Sequence, residues 1–291
     1  MHRYLRAIGF SNIKSKRDVR ALLEHIYSEP TFSSIVYEEE GKCGYVGKSF
    51  GPDFGIRAFG EYEEDGRFRE EYYFPYVESS VLSSTLSCSV ERHTDRAAYG
   101  GIIEDPGLGI SLIFYMSNGI DYINKQNQTK MSPQIKGISL NGLCTYGKIL
   151  LPVYKTEKQK EKIRAEVKNR GSLIEAAQNG DETAMENLAL EDMNLFQTVS
   201  RRIVREDVYS IVDTCFMPYG LESDQYSVIG EIHKLEKVMN RLTGENCYRM
   251  TLECNNLFLT VMVNAVDLLG EPAVGRRFKG DIWLQGTAVF D

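Results

Sequence analysis

Hydrophobic and polar positions follow two different periods along the first part of the chain. Ser15 with Asp18 three residues later matches a capping box, in which each side chain bonds the other residue's backbone at the start of a helix. Four apolar residues then recur at helical spacing: Val19, Leu22, Leu23 and Ile26. Glu29-Pro30 predicts the end of this helix, because the residue before a proline disfavours the α conformation.

The pattern then changes to that of strands. Residues 32–37, 43–50 and 54–62 are rich in β-branched and aromatic side chains, with glycine and acidic turns between them. Asp65-Gly66 favours a hairpin turn, followed by an aromatic return strand. Further hairpins, a helix over 120–126 and strands over 138–154 complete an α+β domain. We therefore predict an antiparallel-sheet α+β domain over residues 1–154.

A charged helical segment follows over residues 155–205. Its first part, to residue 170, has few apolar residues and reads as a solvated helix or linker. Gly180 then ends one helix, and Asp181 caps the next. A third helix is predicted over 193–205. The pattern predicts a helical hairpin that links two domains.

Residues 206–291 have the pattern of a compact β-rich module. Strands are predicted over 226–232, 248–254, 257–263 and 278–285, with a hairpin turn at Asn255-Asn256. Residues 235–242 fit either a helix or a long twisted strand. Five short strands in so short a segment are typical of a small β-barrel, either OB-like or SH3-like. The fold class is therefore α+β with three parts: 1–154, 155–205 and 206–291.

Three stretches carry a resemblance to a known family. They are residues 1–10 (MHRYLRAIGF), residues 206–220 with EDVYSIVD and FMPYG, and residues 275–280 (GRRFKG). Together they resemble a domain-of-unknown-function family of clostridial-type bacteria, over nearly the whole chain. The resemblance implies a soluble bacterial protein of about this length. It implies no activity, cofactor or catalytic residue.

The net charge and the composition limit which binding partners and which cellular compartment we expect. The net charge of −7 opposes general binding of polyanions. No segment approaches the roughly 20 apolar residues that a membrane-spanning helix needs, and the N-terminus lacks the apolar core of a signal peptide. We predict a cytoplasmic protein that does not bind membranes. The six cysteines form no C-x-x-C pair, so we predict reduced core thiols, with no metal and no cofactor.

Other patterns that could carry chemistry have simpler interpretations. Glu91, His93 and Asp95 share one face of a strand, but apolar residues hold the opposite face, which favours a solvated surface over a metal site. Gly107-Leu108-Gly109 reads as a hairpin turn. The tyrosine-rich segment 68–76 is surrounded by carboxylates and is predicted to pair in the core. No nucleophile motif is present, so catalytic residues are unknown.

The basic residues offer the best candidates for binding. Arg201, Arg202 and Arg205 form one group at helical spacing. A second group precedes the only tryptophan, and we take its members as the candidate binding residues: Arg276, Arg277, Lys279 and Trp283. Cations beside an exposed aromatic ring on a small barrel can bind single-stranded nucleic acid, whereas a buried ring would belong to the core. The sequence leaves open which face of its strand Trp283 occupies.

Three functions remain open from the sequence. The favoured hypothesis is a non-enzymatic interaction protein, with a protein partner docked on the barrel or on the helical hairpin. One alternative is an enzyme whose N-terminal domain resembles the vicinal-oxygen-chelate (glyoxalase-like) fold in its order of strand, helix and three strands over 3–62, with His2 and Glu61 as conceivable ligands. The other is single-stranded nucleic-acid binding through the C-terminal barrel. The oligomeric state is not predicted.

Overall fold

A computed structural model describes most of the chain. The described residues are 2–38, 41–93, 98–105, 108, 110–153, 157–203, 208–221 and 223–290. Helices and strands are mixed, and the predicted α+β class is confirmed. No helix within the described ranges is long and apolar enough to cross a membrane.

The N-terminal part is an antiparallel meander with helices at its start. Its elements are a 3-10 helix Arg3–Ile8, α1 Lys16–Ser28, β1 Phe32–Glu38, β2 Gly41–Gly51, β3 Phe54–Tyr62 and β4 Phe68–Val77. The four strands pair in the order β1-β2-β3-β4. The first element is a 3-10 helix, so the strand on which the glyoxalase-like element order depended is absent from the described residues 3–8. That element order is therefore wrong at its first position.

Helix α1 begins as the sequence predicts. The Asp18 backbone N–H donates to Ser15 Oγ (3.2 Å), and the Ser15 backbone N–H donates to Asp18 Oδ2 (2.9 Å). The two bonds satisfy backbone groups that a helix start leaves without partners. The predicted apolar face is buried in the core.

The middle of the chain adds a second group of strands. It consists of β5 Cys88–His93, β6 Ala98–Asp105, β7 Ile110–Met116, α2 Gly119–Thr129 and β8 Ile135–Leu150. Strands β5, β6 and β7 pair antiparallel. The strands predicted over 138–154 correspond to one 16-residue strand, β8, which ends at Leu150; residues 151–153 lie outside any strand, and residue 154 is not among the described residues.

Three helices separate this part from the last strands. They are α3 Glu157–Gln178, α4 Glu182–Ile203 and α5 Val208–Ile211. The turn between α3 and α4 contains Gly180 at φ +90°, a conformation that suits glycine. Asp181 caps α4 by accepting a bond from the backbone N–H of Ala184 (3.1 Å). The second and third predicted helices are one continuous helix, because neither proline nor glycine interrupts residues 182–203.

The C-terminal strands close a ring together with β8. The elements are β9 Cys215–Pro218, β10 Gln225–Met239, β11 Asn246–Cys254, β12 Leu257–Asn264, a 3-10 helix Ala265–Asp267, β13 Leu268–Leu269 and β14 Arg277–Phe290. Strand β8 pairs parallel with β12, and β12 pairs antiparallel with β11. Strand β10 pairs antiparallel with both β11 and β14, and β14 returns to β8. These five pairings form a closed ring of five strands.

The ring draws residues from both sides of the helical segment. Residues 135–150 pair with strands of residues 257–290, so the strands on the two sides belong to one sheet. The division into 1–154, 155–205 and 206–291 remains a prediction. Strand β9 lies outside the ring along β10, and β7 joins β14 at Gln285.

Two local predictions in this part have clear outcomes. The turn at Asn255 and Asn256 joins β11 to β12 with φ angles of 51° and 66°, and the predicted hairpin is confirmed. Residues 235–239 continue strand β10, so the helical alternative for them is wrong. Pairing along β11 outweighs the helical spacing of their apolar side chains.

The first sheet is attached to the ring through β14. The Gln285 side-chain amide donates to the carbonyl of Pro75 (2.8 Å) and accepts from the backbone N–H of Val77 (3.4 Å). The Phe74 ring lies 4.8 Å from that of Tyr115 on β7. One apolar core therefore includes α1, the first sheet and the ring.

Candidate functional site

Trp283 is a core residue. Its side chain is on β14, the residue is 7% exposed, and its indole N–H donates to Asp224 Oδ2 (2.6 Å). The ring stacks on Tyr4 at 5.5 Å between centroids and lies 4.7 Å from the His2 ring. Trp283 is thus covered by the N-terminal 3-10 helix. It does not present an exposed stacking surface for a nucleobase.

Arg277 is also buried, and it holds a loop in place. The residue is 4% exposed, and its guanidinium donates to four backbone carbonyls. The acceptors are Tyr209 (2.7 Å), Val212 (2.7 Å), Leu151 (3.0 Å) and Asp213 (3.2 Å). Burial lowers the pKa of Arg277. These bonds tie residues 209–213 to the ring, so Arg277 acts as an internal anchor.

Arg276 lies in the turn before β14. Its guanidinium donates to the carbonyl of Glu271 (2.6 Å), and its side chain is 37% exposed. The four candidate binding residues therefore do not form one exposed patch. Two are buried, and Arg276 is held by its own turn.

Lys279 is the candidate that opens onto a cavity. Its ammonium donates to the Tyr209 hydroxyl (2.6 Å) and lies 4.5 Å from the centroid of that ring. The contact is both a hydrogen bond and a cation–π interaction. Tyr209 is in turn held by Arg277 through its carbonyl. The position of Lys279 is thus fixed by the same loop that Arg277 anchors.

The cavity beside Lys279 has a volume of about 820 Å³, and we call it the Lys279 pocket. It lies between α5, β9, β10, β14 and the β11–β12 turn. Its lining residues are Tyr209, Val212, Thr214, Cys215, Phe216, Met217, Ser227, Ile229, Asn255 and Lys279. The volume lies within the ~300–1,000 Å³ typical of small-molecule sites, which are mostly apolar with few polar groups.

Hydrogen bonds order the polar rim of the Lys279 pocket. The Thr214 hydroxyl donates to Asn255 Oδ1 (2.5 Å), which joins the loop before β9 to the β11–β12 turn. Ser227 on β10 pairs directly with Met217 on β9, so both side chains face the same side. The pocket is therefore framed by paired strands and by a hydrogen bond between two of its walls.

The cysteines have the environments of structural thiols. None of the six is in a disulfide, and the four buried ones are Cys43, Cys144, Cys247 and Cys254. Burial raises the pKa of Cys144 to about 12. Cys215 lines the pocket, and its pKa is also raised by burial, with Lys279 acting in the opposite direction. Its thiol is therefore protonated at neutral pH.

The residues considered for metal binding are dispersed. Among the described residues, no three His, Cys, Asp or Glu side chains form a group that could hold a metal ion. His2 packs on Trp283, whereas Glu61 accepts an ion-pair bond from Arg69. Burial lowers the pKa of His2 to about 4, helped by the N-terminal amine and Arg3.

Several sequence candidates lie outside the described residues. These are the side chain of His93, together with Asp95, Gly107, Gly109, the side chains of Arg201 and Arg202, and Arg205.

The prediction for the tyrosine-rich strand β4 can be compared with the structure. Its Phe74 and Tyr76 are buried, and Phe74 packs against Tyr45 of β2. The prediction of core pairing is confirmed for these two residues.

Sequence comparison identifies the family but not an activity. A family model described as a domain of unknown function after an E. rectale gene, DUF3881, matches residues 5–286. The chain belongs to this family, in agreement with the clostridial-type resemblance. No curated protein matches the sequence significantly. No solved structure matches it either.

Proposed function

We propose that this member of the DUF3881 family is a non-enzymatic binding protein whose ligand is a small, mainly apolar molecule held in the Lys279 pocket. The observation that carries this proposal is the pocket itself, with a volume of about 820 Å³ and apolar walls. A concave, largely apolar and preformed site is where small molecules usually bind. The cytoplasmic location predicted from the sequence is part of this proposal.

Comparison of a blocked pocket with an intact one tests this function. Ser227→Phe places a ring between the walls of the pocket, opposite Met217. Ser89→Phe is the matched control, because Ser89 is an exposed strand residue outside the pocket lining. Binding is measured by titration with Nile red, a neutral apolar dye, after circular dichroism has shown that both variants are folded.

We expect wild type and Ser89→Phe to bind the dye with the same affinity. Ser227→Phe should bind at least ~10-fold more weakly, a loss of about 1.4 kcal/mol. Equal dye binding by all three proteins would show that the dye does not use the pocket and would overturn the proposal.

A protein partner is the second candidate function. On α4 three large apolar side chains are about half exposed: Met185, Leu190 and Met193. Apolar residues on a helix surface can dock into a partner's groove. Capture from native lysate should recover a stoichiometric partner with wild type and lose it with Met185→Glu/Met193→Glu. Recovery of the same proteins by both baits would count against α4 as the docking surface.

The remaining hypotheses have less support. The closed ring favours a small barrel, OB-like in its five strands, but Trp283 lies inside the core and Arg277 bonds carbonyls. The nucleic-acid alternative therefore loses its stacking ring and one of its cations. The glyoxalase-like alternative loses its first strand, since residues 3–8 form a 3-10 helix.

A further inference from the structure

The charge balance of the Lys279 pocket points to the class of its ligand. Among the described residues, those that line the pocket include one cation, Lys279, and no carboxylate. We propose that the ligand is a free anionic amphiphile, with its acidic head group on the Lys279 ammonium and its apolar chain along Met217 and Ile229. This inference rests on the proposed function and adds the chemistry of the ligand.

Lys279 is prepared to receive an acidic group. A lysine ammonium has three N–H donors, and one of them is directed to the Tyr209 hydroxyl (2.6 Å). No ion pair to Lys279 occurs among the residues that the structure describes. The Tyr209 ring fixes the ammonium from one side. A carboxylate could therefore form a charge-assisted hydrogen bond with little loss of side-chain freedom.

The surroundings strengthen this attraction. The apolar walls lower the local dielectric constant, which makes an ionic contact stronger than in water. Two more cations lie around Tyr209: the Lys148 ammonium is 5.9 Å from its ring centroid, and Arg277 bonds its carbonyl. Asp281, two residues beyond Lys279, is exposed and lies outside the pocket lining. Asp213, which lies between two lining residues, interacts with Arg277, so among the described residues Lys148 and Lys279 remain as the positive charges beside Tyr209.

The test compares two probes that differ only in the head group. Dodecanoate and dodecanol are titrated below their aggregation concentrations, by displacement of Nile red. The variants are Lys279→Met, which keeps the apolar stem, and Lys279→Arg, which keeps the charge. Lys42→Met serves as the control, because Lys42 is an exposed strand cation that contacts Tyr37.

We expect wild type, Lys279→Arg and Lys42→Met to prefer dodecanoate by at least ~10-fold, the range of one charge-assisted hydrogen bond. Lys279→Met should lose this preference and bind dodecanol at least as tightly as dodecanoate, because an unpaired carboxylate is costly to bury. Equal binding of the two probes by wild type, with both lost in Ser227→Phe, would overturn the anionic head group and leave the proposed function intact. If Ser227→Phe did not weaken binding of the probes, both the anionic ligand and the proposed function would be overturned.

Discussion

Two regions of strand β14 meet the rest of the molecule in different ways. Around Trp283, rings from distant segments fill the space, including Tyr4 of the N-terminal 3-10 helix and Tyr115 of β7. Around Lys279, four residues earlier, the neighbouring segments frame an open pocket instead. Two residues of the same strand thus have different environments because different segments of the chain pack around them.

The largest effect should come from emptying the filled region. Trp283→Ala removes the ring that packs on Tyr4 and His2, and we expect a loss of about 3–5 kcal/mol in the free energy of unfolding. Urea unfolding followed by circular dichroism measures it. Tyr146→Ala, at a residue that is 62% exposed, should change stability little. Unchanged unfolding of Trp283→Ala would show that the ring does not support the core.

Removing the anchor of the pocket should cost somewhat less stability. Arg277→Met leaves the carbonyls of Tyr209 and Val212 without their charged donor, and we expect a loss of about 3 kcal/mol. Nile red binding should weaken too, because residues 209–213 would lose their attachment. Arg276→Met, at the partly exposed neighbour, should stay within about 0.5 kcal/mol. Equal effects of the two changes would contradict the anchoring role.

The filled region should also respond to pH through His2. Its pKa is about 4 in the folded state and 6.5 unfolded, so the unfolded chain binds more protons between these values. The contribution of His2 is therefore complete above pH 6.5 and is lost as the pH falls toward 4. Between pH 7 and 4.5 we expect wild type to lose up to about 2.5 kcal/mol more than His2→Phe. Thermal unfolding at several pH values measures this difference. If wild type and His2→Phe lost stability equally as the pH falls, the role of His2 would be refuted.

The smallest effect should separate stability from binding. Ser15→Ala removes the cap of α1, and we expect a loss of about 1 kcal/mol. Nile red affinity should stay the same, because α1 does not line the Lys279 pocket. Ser33→Ala, at an exposed residue of β1, is the control for stability. A change in affinity with Ser15→Ala would mean either that the Lys279 pocket depends on distant packing or that the dye also uses the cavity of about 500 Å³ that α1 lines.

Local signals predicted the parts of the fold whose contacts are local. The Ser15 cap and the Asn255-Asn256 turn depend on residues within a few positions of each other, and both are confirmed. The orientation of Trp283 could not be predicted in this way. Alternation identifies a strand's inner face only when one face is exposed, and Ile282, Trp283, Leu284 and Gln285 are all buried.

The pocket could not be predicted because several of its walls meet through contacts between residues that are distant in sequence. Strand β9 pairs with the neighbouring β10, but residues 209–213 are held by Arg277 from β14, and Thr214 bonds Asn255 of the β11–β12 turn. No spacing in residues 206–219 indicates these contacts. Lys279 was among the candidates because of its charge, whereas Tyr209, which orients it, was missed. Tyr209 lies in a stretch that carries the family resemblance, but nothing in that stretch assigns it a contact with Lys279.

Methyl NMR tests the central claim, that the Lys279 pocket binds a small apolar molecule, most directly. The protein is labelled with ¹³C-methyl methionine, and the Met217 signal is assigned with Met217→Leu. During titration with 1-octanol the account predicts a saturable shift of the Met217 signal. Met131 and Met239, which are exposed elsewhere, should keep their positions. An unchanged Met217 signal, or equal shifts of all three, would contradict the account.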